Sequence, residues 1–217
     1  RMPGGPAWPV RTSSRTSAPL VPWREPSTAP RGDPHDGYSR AVAPTQVLLV
    51  HGAWHGAWCW APLQAALDEL GVASQAVDLP GHGTSPLPLA DLHGDARCVA
   101  DAALAIGGRI VLVGHSYGGA VVTQAAEFLR DEPGAEVTHI VYLAAFCLDE
   151  GESVSGFVAS QPRENPLLNS AMIPGKDGTI VLDPAKAAPA LYNRMSPAQA
   201  AAAVARLGPE SSSGFAQ

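Results

Sequence analysis

The chain has 217 residues and a formal net charge of -6, and hydrophobic residues make up 46% of it. That length and composition suffice for a soluble domain with a sizeable core. A negative chain argues against a nucleic-acid partner, which needs a basic surface. No apolar run approaches the roughly 20 residues that cross a bilayer, so no membrane association is predicted. The three cysteines form no CxxC pair, which favours free thiols in a reducing compartment and hence a cytoplasmic location.

The first 43 residues are rich in Pro, Ser and Arg and show no apolar period. Such a segment cannot bury enough surface to offset the entropy lost on ordering, so residues 1–43 are predicted to be a disordered leader. A periodic pattern begins at Thr45. Residues 44–217 are therefore predicted to form one domain, with a core over 45–148 and a cap-like helical region over 149–217.

Short apolar runs alternate with segments of helical spacing from residue 46 onward. Strands are predicted over 46–50, 73–77, 109–113 and 137–143, and helices over 62–70, 89–106 and 120–130. This alternation predicts βαβ units and a mostly parallel, doubly wound α/β sheet. The rhythm weakens after residue 146, until Ser196-Pro197 opens an Ala-rich helix. The end of the chain is therefore predicted to be a helical insertion over one face of the sheet.

The most specific motif is GHSYGG at 114–119, which follows the third predicted strand and precedes a helix. G-x-S-x-G in this context is the pattern of a nucleophile elbow, a turn so tight that its serine adopts a strained backbone. Gly114 and Gly118 leave the room that this turn needs. Ser116 is therefore predicted to be a nucleophile, held at a helix N-terminus where free amides stabilise an oxyanion.

The segment HGAW at 51–54 follows the first predicted strand. Parallel strands end at one edge of a sheet, so this loop and the elbow are expected to lie side by side. The loop can then donate the Ala53 amide to an oxyanion, together with the Tyr117 amide.

The remaining polar residues near this edge are interpreted as structural. His51 is expected to stabilise its turn. His51 and His55 have the spacing of a helical metal pair, but a glycine-containing loop separates them and no third ligand is apparent, so neither a metal nor a cofactor is predicted. Asp78 and His82 are expected to form a charge pair that holds the second loop.

With these segments in hand, the chain resembles the α/β-hydrolase superfamily. The resemblance is carried by VLLVHGAWHGAWCW, VDLPGHGTS, IVLVGHSYGG and HIVYLAAF, and spans roughly residues 46–210. Within the superfamily, the chain looks most like the branch that contains plant methylesterases, hydroxynitrile lyases and bacterial esterases such as pyrethroid hydrolases. It implies that Ser116 is the nucleophile and that the Ala53 and Tyr117 amides form the oxyanion hole.

The resemblance also bears on the reaction. The lyases carry a threonine at the place of Gly52, to hold the substrate's hydroxyl, whereas the esterases carry glycine there. Gly52 therefore favours hydrolysis of a small apolar ester through an acyl-enzyme, with Trp54 beside the substrate. Two alternatives stay open: a homologue that binds a small molecule without catalysis, and a hydroxynitrile lyase-type enzyme.

The triad of this fold runs in the order Ser, acid, His, and the last histidine here is His139. His139 precedes or begins the fourth strand, which separates it from Ser116 by roughly 15 Å at the usual rise of a strand. The general-base histidine is therefore expected to be absent, and the chain to be C-terminally truncated, lacking the last strands, and inactive or weak. Asp149 follows the fourth strand and is a candidate acid, with a solvated loop residue as the alternative. The fourth strand is expected to be an unpaired apolar edge that favours self-association.

Overall fold

A computed structural model describes the protein over residues 45–161 and 166–217. The leader predicted over residues 1–43 lies outside these ranges, so its disorder stays a prediction. In the described ranges, no helix has the length and apolar character needed to cross a membrane. The cytoplasmic location also stays a prediction.

The core alternates strands with helices, as predicted. Its elements are, in order, β1 (Gln46–Val50), α1 (Ala61–Glu69), β2 (Ser74–Val77), α2 (Leu92–Ile106), β3 (Gly108–Ser116), α3 (Gly118–Phe128) and β4 (Ala135–Ala145), with a 3-10 turn at Ala57–Trp60 before α1. α2 begins three residues later than predicted, because the Asp91 side chain accepts a hydrogen bond from the Gly94 amide and caps the helix there.

The four core strands form one parallel sheet in the order β2-β1-β3-β4. Leu48 and Leu112 point to the face on which α2 and α3 pack, and both are almost fully buried. Leu49 and Val113 point to the opposite face and pack against Trp60. The parallel α/β architecture predicted from the sequence is therefore confirmed.

Residues 154–161 and 166–217 form a cap, which contains short helices and a small sheet. Its elements in the described ranges are α4 (Val154–Ser160), α5 (Pro166–Ala171), β5 (Met172–Pro174), β6 (Thr179–Leu182), α6 (Pro184–Leu191), α7 (Pro197–Val204), β7 (Glu210–Ser211) and α8 (Ser212–Ala216). The predicted helical region is present, and it also contains an antiparallel sheet of β5, β6 and β7 that the sequence did not indicate. These strands are too short to show a two-residue period, and β7 reaches β6 from far along the chain.

β4 is the outermost strand of the core sheet in the described residues. It has eleven residues and pairs only with β3 there. Val141 and Leu143 on this strand are 43% and 47% exposed. A long apolar edge of this kind can pair with a second chain, which supports the prediction of self-association.

We expect the 217-residue chain to form dimers or larger species as its concentration rises, and the double substitution Val141→Lys, Leu143→Lys to reduce that association. Charges on an edge strand oppose strand-to-strand pairing. Sedimentation velocity over a concentration series measures the effect. Leu70→Lys is the control, because Leu70 is 77% exposed and lies outside β4. A wild-type chain that stays monomeric throughout would contradict the prediction.

Candidate active site

Ser116 is the last residue of β3 and begins the strained turn into α3. Its φ is +53°, a left-handed conformation that side chains other than glycine rarely adopt. A Cβ on Gly114 would lie 2.4 Å from the carbonyl oxygen of Gly118, and one on Gly118 would lie 2.6 Å from that of His51. Both glycines are therefore required by close backbone approach, as the nucleophile-elbow motif predicts.

The loop over residues 51–55 lies directly against the elbow. β1 and β3 are neighbours in register, with Val50 opposite Gly114, so the loop leaves the sheet beside Ser116. A Cβ on Gly52 would lie 2.8 Å from the Cβ of Ser116. Ala53 is buried next to this contact, and its amide donates no hydrogen bond to another described residue.

Tyr117 carries the second amide of interest. It is the residue between β3 and α3, so its amide lies at a helix N-terminus, where backbone N–H groups have no intrahelical partner. The structure thus brings Ser116, Ala53 and Tyr117 to one sheet edge, as predicted. Their roles as nucleophile and oxyanion donors stay predictions at this point.

A cavity of about 640 Å³ opens beside Ser116. Core and cap both contribute to its wall, which is mostly apolar. The apolar residues that line it are Ala53, Trp54, Phe146, Val154, Val158, Ala159, Leu168, Met172, Ile180 and Phe215, with Ser155, Gln161 and Asn169 as polar neighbours. A wall of this composition suits an apolar group held next to the serine hydroxyl.

His51 and His55 support the loop that contains Ala53. His51 is fully buried and its Nε2 accepts a hydrogen bond from the Leu79 amide at 3.1 Å, which confirms its structural role. Burial lowers the pKa of His51 to about 3, so its ring is neutral. His55 binds the Ala53 carbonyl oxygen through Nδ1 and the Tyr192 hydroxyl through Nε2, both at 2.8 Å. Burial also lowers the pKa of His55.

The predicted charge pair between Asp78 and His82 was wrong. The Asp78 carboxylate accepts hydrogen bonds from the Ala57 amide and from the amide and hydroxyl of Thr84. His82 instead faces Glu210, with its Nε2 3.2 Å from the carboxylate oxygen Oε2. Glu210 lies far along the chain in the cap, so no local pattern pointed to it.

His115, His139 and Asp149 are not brought to the Ser116 hydroxyl. The His115 ring packs edge-on against Trp60 on the opposite face of the sheet, and burial lowers its pKa. His139 lies opposite Val111 in the β3–β4 register, five residues before Ser116, or about 16 Å along a strand. Asp149 is exposed, its amide bonds to Glu152, and it does not line the cavity, so its role as the acid stays a prediction.

Two buried carboxyl groups behind the site were missed by the sequence reasoning. Asp95 is 1% exposed and its Oδ2 accepts a hydrogen bond of 2.7 Å from the Tyr117 hydroxyl. Burial raises the pKa of Asp95 to about 7. The second carboxyl group is that of Glu210, which is also 1% exposed. Burial by itself would lower the pKa of His82, but the facing Glu210 carboxylate has the larger effect, so the pKa of His82 is raised. An acid on the apolar face of α2, between Leu92 and Val99, was the available signal for Asp95.

A parallel sheet with a strained serine between strand and helix defines an α/β-hydrolase. The chain belongs to the alpha/beta hydrolase family, whose sequence profile matches residues 47–216.

Esterases are among its relatives. Esterase PIR7B of Oryza sativa subsp. japonica is 35% identical over 134 residues, which are 58% of this chain and 49% of that protein. The carbendazim hydrolyzing esterase of Nocardioides sp. (strain SG-4G) is 34% identical over 146 residues, 63% of this chain and 55% of that protein. The chain spans about half the length of the curated relatives it matches.

A solved pyrethroid hydrolase from Sphingobium faniae JZ-2 has the same fold, with a TM-score of 0.67 at 24% identity over 81% of this chain and 71% of that chain. The resemblance to esterases of this branch is confirmed.

Proposed function

We propose that the chain carries the nucleophile half of a hydrolase that cleaves carboxylic esters through an acyl-enzyme, with Ser116 as the nucleophile. The observation that carries the proposal is the strained backbone of Ser116 at the β3–α3 turn, where the residue lines an apolar cavity. The esterase names of its relatives support ester hydrolysis.

In the proposed reaction, the Ser116 oxygen attacks the ester carbonyl carbon as its proton passes to a general base. The carbonyl oxygen becomes an oxyanion and accepts hydrogen bonds from the amides of Ala53 and Tyr117. The bond to the alcohol then breaks, the alcohol takes up the proton, and an acyl-serine remains. Water attacks the acyl-serine, which releases the acid and restores the Ser116 hydroxyl.

The general base is proposed to come from outside the described residues. Within residues 45–161 and 166–217, no histidine nitrogen forms a hydrogen bond with the Ser116 hydroxyl. A serine without its base is a weak nucleophile. The part of the chain that the structure describes is therefore expected, by itself, to acylate slowly.

The proposed substrate is a small ester with an apolar acyl or alcohol group. The cavity wall is mostly apolar, and Trp54 and Phe146 place aromatic surface in it. Gly52 has no hydroxyl to hold a cyanohydrin, and a Cβ there would lie 2.8 Å from the Cβ of Ser116. The missing hydroxyl favours ester hydrolysis over the lyase reaction, and the close approach of Ser116 leaves little room for a side chain at this position.

We expect a fluorophosphonate probe to label Ser116 slowly, and added imidazole to speed the labelling, because a free base then takes up the serine proton. Labelling should be lost in Ser116→Ala. Ser155→Ala is the matched control, since Ser155 also lines the cavity but lies in the cap helix α4. Mass spectrometry of the labelled peptide measures the rate and the site.

Three outcomes would contradict parts of the proposal. Labelling that survives in Ser116→Ala would exclude Ser116 as the nucleophile. Rapid labelling without imidazole would mean that the chain already holds a base. Binding of apolar esters without labelling, even with imidazole, would favour a non-catalytic binding protein.

A further inference from the structure

Glu210 is a buried carboxylate in the short strand β7, and the proposed mechanism does not use it. It is 1% exposed and does not line the cavity beside Ser116. A carboxylate out of water is retained only when its oxygens are satisfied. Oε1 accepts from the Ser211 amide at 2.9 Å, and Oε2 faces both His82 and the Trp54 amide, at 3.2 and 3.3 Å.

Trp54 has a backbone conformation that needs support from its surroundings. Its φ is +64°, in the left-handed region that side chains rarely adopt. The cap forms a hydrogen bond with each polar group of this residue. The Trp54 amide donates to the Glu210 carboxylate, and the Trp54 carbonyl oxygen accepts from the Gly208 amide at 2.9 Å. The indole Nε1 donates to the Ile180 carbonyl oxygen at 3.0 Å. Contacts with the cap therefore stabilise the strained conformation.

The Trp54 amide belongs to the same peptide group as the Ala53 carbonyl. His55 binds that carbonyl oxygen, and Tyr192 of the cap in turn binds His55. The peptide group between Ala53 and Trp54 is thus held at both ends, by Glu210 and by His55. Because this peptide group is planar, holding it restricts the ψ of Ala53, the torsion that sets the position of the Ala53 nitrogen relative to the held group.

The segment after Glu210 also contacts the other proposed donor residue. The Phe215 ring packs edge-on against both Tyr117 and Trp54, with centroid separations of 5.3 and 6.1 Å. A Cβ on Gly214 would lie 2.6 Å from the Tyr117 hydroxyl oxygen. The residues from Glu210 to Phe215 therefore pack against Tyr117, one proposed donor of the oxyanion hole, and against Trp54, the neighbour of the other donor.

We propose that Glu210 is a positioning residue for the oxyanion hole: its carboxylate holds the Trp54 amide and thereby keeps the Ala53 amide directed at the developing charge. The inference rests on the proposed function of Ser116. It assigns the cap a second role besides lining the cavity, because a cap residue sets the geometry of a donor that lies in the core.

Two substitutions separate the reach of Glu210 from its charge. Glu210→Gln keeps an acceptor oxygen near the Trp54 amide but removes the charge that faces His82. Glu210→Asp keeps the charge but withdraws the acceptor by one methylene. The rate of fluorophosphonate labelling in saturating imidazole is measured as a function of probe concentration, which gives the maximal rate kinact and the half-saturating concentration KI separately.

A positioning role predicts that Glu210→Asp lowers kinact by about tenfold or more, as expected for a misplaced oxyanion donor, and leaves KI unchanged. Glu210→Gln should keep kinact close to the wild-type value. Glu69→Ala, at an exposed residue of α1, is the control for substitution of a glutamate. Thermal melting identifies any variant that has lost its fold.

A wild-type kinact in Glu210→Asp would overturn the inference, because the distance from the carboxylate to the Trp54 amide would then not matter. A larger loss of kinact in Glu210→Gln than in Glu210→Asp would also overturn it, because the charge that faces His82, and not the contact with Trp54, would then be what counts. Failure of the proposed function gives a different result, because the Ser116→Ala variant would then be labelled as the wild-type chain is.

Discussion

Gly118→Ala is expected to destabilise the protein by about 3 kcal/mol, in the range of an overpacked core, and to abolish labelling of Ser116. The added Cβ would lie 2.6 Å from the carbonyl oxygens of both Val50 and His51. These are backbone atoms at the end of the central strand β1, so they cannot move aside as a flexible side chain would. Urea unfolding followed by circular dichroism measures the loss.

Gly208→Ala is the matched control for this substitution. A Cβ on Gly208 meets no atom within 4 Å, and the Gly208 amide that binds the Trp54 carbonyl is retained. The control is expected to change the free energy of unfolding by less than about 1 kcal/mol. Equal free energies of unfolding for the two variants would mean that the elbow has room for a side chain at residue 118. The close backbone approach at this turn would then be contradicted.

Asp95→Asn is expected to become steadily more stable relative to the wild type as the pH rises from 4 to 7. The pKa of Asp95 is raised by burial, from its usual value to about 7 in the folded chain. Its neutral form therefore contributes stability that is complete below the unfolded pKa and is lost as the pH rises through the folded pKa. A shift of about 3 pKa units corresponds to about 4 kcal/mol between pH 4 and pH 8.

The measurement is the free energy of unfolding of both proteins across this pH range. Asparagine retains a carbonyl oxygen that can accept the hydrogen bond of the Tyr117 hydroxyl, and it has no charge to bury. Asp101→Asn, at an exposed position of the same helix α2, is the matched control for an aspartate-to-asparagine substitution. A difference between Asp95→Asn and the wild type that stays constant over this pH range would show that Asp95 is not buried as a neutral acid.

Two buried carboxyl groups lie behind the proposed oxyanion donors. Asp95 and Glu210 are both 1% exposed, and both contact a residue next to, or identical with, a proposed oxyanion donor. Burial of Asp95 reduces stability as the pH rises towards 7, and the carboxyl groups of Asp95 and Glu210 both accept hydrogen bonds from neighbouring donors. Measuring both unfolding and labelling in Asp95→Asn and Glu210→Gln separates the effect of each carboxyl group on stability from its effect on labelling.

Much of the core was predictable because its signals are local. The strands β1 and β3 were found from short apolar runs, and the elbow from three glycines around Ser116 at the end of the second of these runs. The boundary of α2 was missed by three residues because a side-chain cap, and not the apolar period, sets it. The parallel register then follows from the βαβ order, which brings the loop at Ala53 to the elbow.

The small sheet of the cap and the buried polar contacts were not predictable. The strands β5, β6 and β7 have only two to four residues each, so they carry no two-residue period. His82 was paired with the nearest acid in the sequence, Asp78, whereas its true partner is Glu210. That assignment failed because local spacing contains no information about which residues of the cap fold back onto the core.

The order of amino acids alone determined the sheet, the strained serine and the neighbouring loop, since a strand period and a glycine that avoids a clash act within a few residues. Only the tertiary structure decided which side chains surround that serine from the cap, and which carboxyl groups are removed from water beneath it. Hydrogen bonds such as that between Glu210 and Trp54 span 156 residues, and burial is a property of the packed molecule and not of any segment.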